Sequence, residues 1–148
     1  MLLIVFTLEM QQYALRLGVV DKVIRAVEIS PLPQAPEIVQ GVINVRGRIM
    51  PVINVRQRFH LPERELALSD QFIIAHTARR PVCLVADSIV AVSEYPEQSM
   101  AGPESILPGM EYVEGVVKLD NGLLLIHDLD SFLSLDEEVC LTQALASA

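Results

Sequence analysis

The stretch Gly41-Val-Ile-Asn-Val-Arg-Gly-Arg-Ile-Met-Pro-Val-Ile-Asn-Val-Arg-Gln-Arg-Phe59 decides the fold. Val42–Val45 and Ile49–Val55 are rich in β-branched residues, which suit the pleated, half-buried surface of a sheet. Between them, Gly47 can take the positive φ that a tight hairpin needs, and Arg46 and Arg48 flank it. Pro51 lies inside the second strand and has no N–H to donate, so it is expected at a bulge or an edge. Asn54 is a capping residue, and Val55 to Phe59 are expected to form a short helical turn after it.

A shift that carries Gly41 onto Gly115 aligns this stretch with a second one, Gly115 to Leu133, without a gap. Val42 falls on Val116, Ile43 on Val117, Val52 on Ile126, Asn54 on Asp128 and Val55 on Leu129. The Asp120-Asn121-Gly122 turn replaces Arg46-Gly47-Arg48. Upstream, Leu3–Leu8 with Tyr13–Leu17 is echoed by Gln71–Ala75 with Pro81–Val85. The chain therefore reads as two copies of one all-β unit, roughly residues 1–68 and 69–133. Each copy is near the lower size limit for a stable core, so the two are expected to share apolar surface. Ser134 with Glu137 forms a capping-box pattern, which predicts a helix over residues 135–146 with Leu135, Val139, Leu141 and Leu145 on its apolar face.

The 148 residues are 51% hydrophobic with a net charge of −8. Residues 1–70 hold 8 Lys/Arg against 7 Asp/Glu, and residues 71–148 hold 3 against 12. An acidic chain is a poor general nucleic-acid ligand. The asymmetry implies that the two halves present different electrostatic faces to partners. The N-terminus is apolar but lacks a basic flank and a span-length run, so the expected compartment is the cytosol. Cys83 and Cys140 do not make a disulfide framework there.

No catalytic constellation emerges. There is no phosphate loop and no nucleophile elbow, and His60, His76 and His127 lie in unrelated segments without a second ligand at metal spacing. His127 is expected to be a strand histidine with its own hydrogen-bond partner. Asp120, Asp128 and Asp130 do not follow a calcium-loop pattern. No cofactor or metal is expected. The residues alone favour an interaction module over an enzyme, and a small-molecule-binding double barrel fits the same facts.

Asn44-Val45-Arg46-Gly47, then Pro51 to Arg56 and Phe59, resembles the central motif of CheW-like adaptor domains of bacterial chemosensory arrays. The likeness extends over most of the chain. It implies an all-β fold of two SH3-like five-stranded barrels packed on a shared hydrophobic core, followed by the C-terminal helix. It also implies a non-catalytic adaptor, cytoplasmic and recruited to receptor arrays, that couples the helical tips of chemoreceptors to a CheA-type histidine kinase. On that pattern Arg46, Val23 and Arg25 face the receptor. Gly41 and Val42, together with Met100 in the 96–106 loop, face the kinase's regulatory domain. Asn44, Gly47, Pro51 and Asn54 shape the motif.

The chain departs from the pattern at Arg25, where a glutamate that pairs with the motif arginine is common. Arg46 must then find another acceptor, with Glu28 the candidate. Asn54 stands for a commoner Asp, and Met100 for an arginine in some members. Two further roles remain open. One is a regulator of a pilus or second-messenger pathway that competes for the kinase. The other is ligand sensing by the groove between the barrels.

Overall fold

The computed structural model describes residues 1–102 and 112–147. Its strands are β1 (Leu2–Leu8), β2 (Gln11–Arg16), β3 (Val20–Arg25), β4 (Val39–Val45), β5 (Arg48–Ile53), β6 (Gln71–His76), β7 (Pro81–Ala86), β8 (Ser88–Glu94), β9 (Met100–Ala101), β10 (Val113–Leu119) and β11 (Gly122–His127). A short helix α1 (Val55–Arg58) follows β5, and α2 (Leu135–Ala146) ends the chain. One sheet has the order β8-β1-β2-β11-β10-β9 and the other β3-β6-β7-β5-β4. The first therefore gains a sixth, two-residue strand over the expected five.

The sheets do not divide the chain at residue 68. The β1–β2 hairpin of the first copy sits in the sheet of the second, and the β6–β7 hairpin of the second sits in the sheet of the first. Parallel pairing of β2 with β11 and of β7 with β5 joins each hairpin to its host. The alternation of apolar side chains explains why this is possible but not which copy is chosen. Along β1, Leu3 and Val5 point into one barrel with Ala14, Leu124 and Ile126, while Ile4, Phe6 and Leu8 point into the seam between the sheets. Along β6, Phe72 and Ile74 fill the other barrel, and Ile73 and Ala75 reach the same seam. Both hairpins carry the same pattern, so periodicity cannot say which barrel each enters.

The repeat is real in register. Gly41 pairs with Val52 and Gly115 with Ile126, each just after a register shift. The Asn54 N–H donates to the Ile38 carbonyl at 2.7 Å, and the Asp128 N–H to Tyr112 at 2.8 Å. Both glycines answer a close approach. A Cβ on Gly41 would press into the Ser30 carbonyl oxygen, and one on Gly115 would lie 2.5 Å from the Met100 side chain.

Pro51 meets neither an edge nor a bulge, because β5 lies between β7 and β4. The Val42 N–H and C=O both bond Ser30, at 2.8 and 2.9 Å, and so point away from β5. Val42 and Pro51 are thus a non-hydrogen-bonded pair, and the ladder to β7 begins only at Val52. No partner needs the missing N–H.

Helix α2 spans its expected residues, and its capping box of Ser134 and Glu137 forms. Its buried face differs. Leu135 is 69% and Val139 57% exposed, while Glu138, Leu141 and Ala144 are buried. The helix turns to bring Glu138 to Arg80, whose guanidinium donates to the carboxylate at 2.8 Å. A buried carboxylate without that partner would cost more than two exposed apolar side chains.

Two glycine substitutions test the interlock. Gly41→Ala is expected to destabilise by about 2–3 kcal/mol, since the obstacle is backbone. Gly115→Ala should cost less, about 1–2 kcal/mol, since the flexible Met100 side chain can give way and of the backbone only the Ala101 carbonyl oxygen, at 2.9 Å, must shift. Urea unfolding at equilibrium measures both.

Candidate functional site

The hairpin tip is a two-residue turn. Val45 pairs with Arg48, and both Arg46 (φ +51) and Gly47 (φ +86) take left-handed conformations. The Asn44 side-chain oxygen accepts the Gly47 N–H at 2.8 Å and holds the turn. Holding a non-glycine residue in this region costs about 1 kcal/mol, and the Arg46 side chain makes no hydrogen bond or ion pair with any described residue to offset it. Asn54 caps α1 as expected, accepting the Gln57 N–H at 3.0 Å.

The basic residues fall into two groups. Arg56, 11% exposed, donates to Glu9 and, at 2.6 Å, to Asp87. Arg64 bonds Asp70 at 2.5 Å and Asp87 at 2.7 Å. This cluster ties the β1–β2 turn, α1, the crossing segment and the start of β8 together. Burial pushes the Asp87 carboxyl up, but the Glu9 N–H and the Arg56 and Arg64 guanidinium groups outweigh it and hold it below the ordinary value. Arg58 donates to both Glu137 oxygens at 2.7 and 2.9 Å, and its guanidinium lies 5.0 Å from the Tyr112 ring. Burial raises the Glu137 carboxyl, and hydrogen bonds from Ser134 and Arg58 bring it below the ordinary value. Arg56 and Arg58, close in sequence to Arg46 and Arg48, are thus clasps that hold the fold. Arg80 likewise clamps α2.

Lys22, Arg25, Arg46, Arg48, Arg79 and Lys118 make no ion pair with any described residue, and four of them lie together, Lys22 and Arg25 on β3 and Arg46 and Arg48 at the β4–β5 turn. Glu28, the acceptor expected for Arg46, does not pair with it. Arg46 and Arg48 are exposed, and Asp21, Lys22 and Val23 form a run of exposed residues on the edge strand β3. Val23 pairs with Ile73, a member of the seam core, so its side chain stands on the same face, at the open lip of the seam.

The residues expected at the kinase are less free. Gly41 is buried beneath Ser30. Val42 is half-buried and bridged to Ser30. Met100 is half-buried, pairs with Val117 and packs on Gly115. Residues 103–106 of the expected second-half contact lie outside the described residues.

His127 contradicts its expectation. It is 2% exposed, and neither ring nitrogen has a hydrogen-bond partner. It stacks on Phe59 at 4.7 Å, with Tyr13 at 4.9, Phe132 at 5.0 and Phe6 at 5.4 Å. Burial pushes its pKa down to about 3. The signal for it was in the repeat, where His127 falls on Ile53, a core position. Asp128, expected as a helix cap, precedes only a 3-10 turn and makes no side-chain cap bond. Among the described residues, no three His, Cys, Asp or Glu side chains could hold a metal ion. No helix among them is long and apolar enough to cross a membrane.

Known proteins share this architecture. The family model described as CheW-like domain matches residues 2–137. The chain belongs to the CheW-like domain family. Similar relatives include the chemotaxis protein CheW of Treponema pallidum, 28% identical over 141 residues, covering 91% of this chain and 83% of that protein. The CheW of Klebsiella aerogenes is 26% identical over 147 residues, covering 98% and 88%. Protein FrzA of Myxococcus xanthus is 28% identical over 93 residues, covering 60% and 58%. Among solved structures, the scaffolding protein TtCheW of Thermoanaerobacter tengcongensis superposes with a TM-score of 0.83 at 28% identity, covering 92% of this chain and 94% of that one. This CheW-like chain thus has the double-barrel fold, and its unpaired cations stand apart from the clasps that hold it together.

Two predictions separate these roles. Arg46→Glu should shift stability by less than about 0.5 kcal/mol, whereas Arg56→Ala should cost about 2 kcal/mol, because it strands Glu9 and Asp87. Urea midpoints measure both. His127 makes stability pH-dependent. Its folded pKa lies below the unfolded value near 6.5, so the unfolded chain takes up a proton first as pH falls. Its contribution is complete above about pH 6.5 and is lost at about 1.4 kcal/mol per pH unit below that, down to about pH 3. His127→Ile should remove this slope, read as the difference between parent and variant from pH 7 to 4.5.

Proposed function

We propose that this chain is a non-catalytic adaptor that couples chemoreceptors of the methyl-accepting type to a CheA-type histidine kinase. The observation that carries this reading is the division of the arginines within a CheW-like fold. Arg56, Arg58, Arg64 and Arg80 are tied to carboxylates. Arg46, at the family's motif turn, is held exposed in a left-handed conformation with no ion-pair partner among the described residues. A cation kept free at that conformational cost suits contact with another protein.

On this reading the receptor's helical tip lies along the lip at Val23, with its acidic groups toward Arg25 and Arg46. The family's usual internal counter-charge is missing here, so the partner supplies it. The kinase's regulatory domain meets the barrel end around Gly41 and Val42, and another meets the Met100 segment. Gly41 contributes there through the backbone shape that its missing side chain permits. The adaptor works in the cytoplasm at receptor arrays.

The test is reconstitution of this chain with a receptor tip and a CheA-type kinase. Kinase activity should rise on its addition. Arg46→Glu should weaken receptor capture at least about tenfold while leaving kinase binding and unfolding unchanged, and raising salt should weaken assembly. A chain that binds neither protein overturns the reading. A chain that binds the kinase but lowers receptor-stimulated activity is a competitor and not a coupler.

A further inference from the structure

The repeat ends each barrel in a hairpin tip, and the two tips are held differently. At the first, the Asn44 side-chain oxygen accepts the Gly47 N–H at 2.8 Å and clamps the turn. At the second, Lys118 stands in the place of Asn44 and Asn121 in the place of Gly47. A lysine has no oxygen to accept that N–H, so this clamp is lost. Leu119 pairs with Gly122, which leaves Asp120 and Asn121 as the two turn residues. Both are exposed, and neither side chain makes a hydrogen bond or ion pair with any described residue.

The chain has three asparagines, and Asn121 alone is followed by glycine. A Cβ on Gly122 would meet nothing within 4 Å, so no neighbouring group crowds the Asn121–Gly122 bond from that side. Asn121 and Gly122 line a cavity of about 100 Å³ beside Met10 and Gln11 of the neighbouring turn, which is room for a few water molecules. Asn44 and Asn54 differ on each count. Val45 and Val55 follow them, and a branched side chain there is stiff and shields the amide. Their side chains are also engaged: Asn44 holds the Gly47 N–H, and Asn54 accepts the Gln57 N–H at 3.0 Å and donates to Glu63 at 3.1 Å. An asparagine side chain reacts with the backbone nitrogen of the next residue when the two can meet, and glycine gives that nitrogen the widest freedom.

We propose that Asn121 is a site of spontaneous covalent modification, converted through a succinimide to aspartate and isoaspartate. The Gly122 backbone nitrogen attacks the Asn121 side-chain carbonyl carbon. A C–N bond forms, the bond from that carbon to Nδ2 breaks, and ammonia leaves with the Gly122 amide proton. Water then opens the five-membered ring. Opening at the side-chain carbonyl gives aspartate. Opening at the backbone carbonyl gives isoaspartate, in which the main chain runs through the former side chain. Both products add a negative charge beside Asp120. Isoaspartate also lengthens the two-residue turn by one methylene, directly next to the Leu119–Gly122 pair that starts the β10–β11 ladder, and β11 carries the pairing with β2.

The test incubates the full chain in mildly alkaline buffer, folded and unfolded in urea, and maps it by proteolysis and mass spectrometry. In the folded chain the peptide holding Asn121 should exchange amide for acid at least about tenfold faster than those holding Asn44 and Asn54. One ammonia should be released per converted chain, and Asn121→Gln should abolish the release. Asn121→Asp supplies the charge without the longer backbone. Its urea midpoint should match the parent's, while chain enriched in isoaspartate should unfold at lower urea. Folded-state conversion no faster at Asn121 than at Asn44 and Asn54, or slowed more than about tenfold relative to the unfolded chain, means that the turn shields the site and overturns the proposal. An isoaspartate form as stable as the parent overturns the effect on the hairpin.

Discussion

Strands β1 and β6 have no face to spare. Leu3 and Val5 on one side of β1, and Ile4, Phe6 and Leu8 on the other, are all buried, and β6 repeats the arrangement with Phe72 and Ile74 against Ile73 and Ala75. A strand that is apolar on both sides needs two layers, one within its barrel and one across the seam. Neither copy can supply both alone. Placing each hairpin in the other copy's sheet meets the demand, because the seam is then crossed by covalent chain as well as by side chains. The rings of Phe6, Tyr13, Phe59 and Phe132 meet in that seam, and the arginine clasps close around its rim.

Set side by side, the copies sort the fold from what is built on it. Gly41 and Gly115 both let a neighbouring segment close over the strand, so the glycine belongs to the architecture. Asn54 and Asp128 keep the same backbone bond across the barrel mouth, so that exit is architectural too. Differences lie elsewhere. One turn holds Arg46 at positive φ, and its counterpart, Asp120-Asn121, holds no residue there. The crevice at Asn54 is lined by arginines, and the matching one at Asp128 by His127 and carboxylates. Some departures between the copies cost stability, such as a left-handed arginine or an unpartnered imidazole.

Much of this was legible in the sequence. The repeat register, the Asn44-Gly47 turn, the Asn54 cap and both ends of α2 follow from spacing and capping chemistry. The exchange of hairpins does not, since two copies with one alternation pattern give the same signal whichever sheet they join. The face of α2 was misjudged because Glu138 outranks Leu135 and Val139 once Arg80 is near, and that pairing links residues far apart in sequence. For the same reason the sequence does not set Arg56 and Arg58 apart from Arg46 and Arg48, since four nearby arginines look alike until their distant carboxylates are placed. Of the expected docking residues, Val23, Arg25 and Arg46 stand exposed, while Gly41 was legible as a glycine of the repeat and proves to be a packing position.

The exchange also bears on how the chain comes into being. Strand β5 finds its neighbour β7 only after the crossing segment has been made, and β1 and β2 wait for β8 and β11. A ribosome therefore releases the whole first half before either barrel can close. During that interval both faces of β1 and the edge of β5 are uncovered, and loops that span half the chain must close before their contacts contribute. The molecule gains a seam that cannot slide apart, and accepts in exchange a slow, late-closing birth in which its most apolar hairpin is the longest exposed.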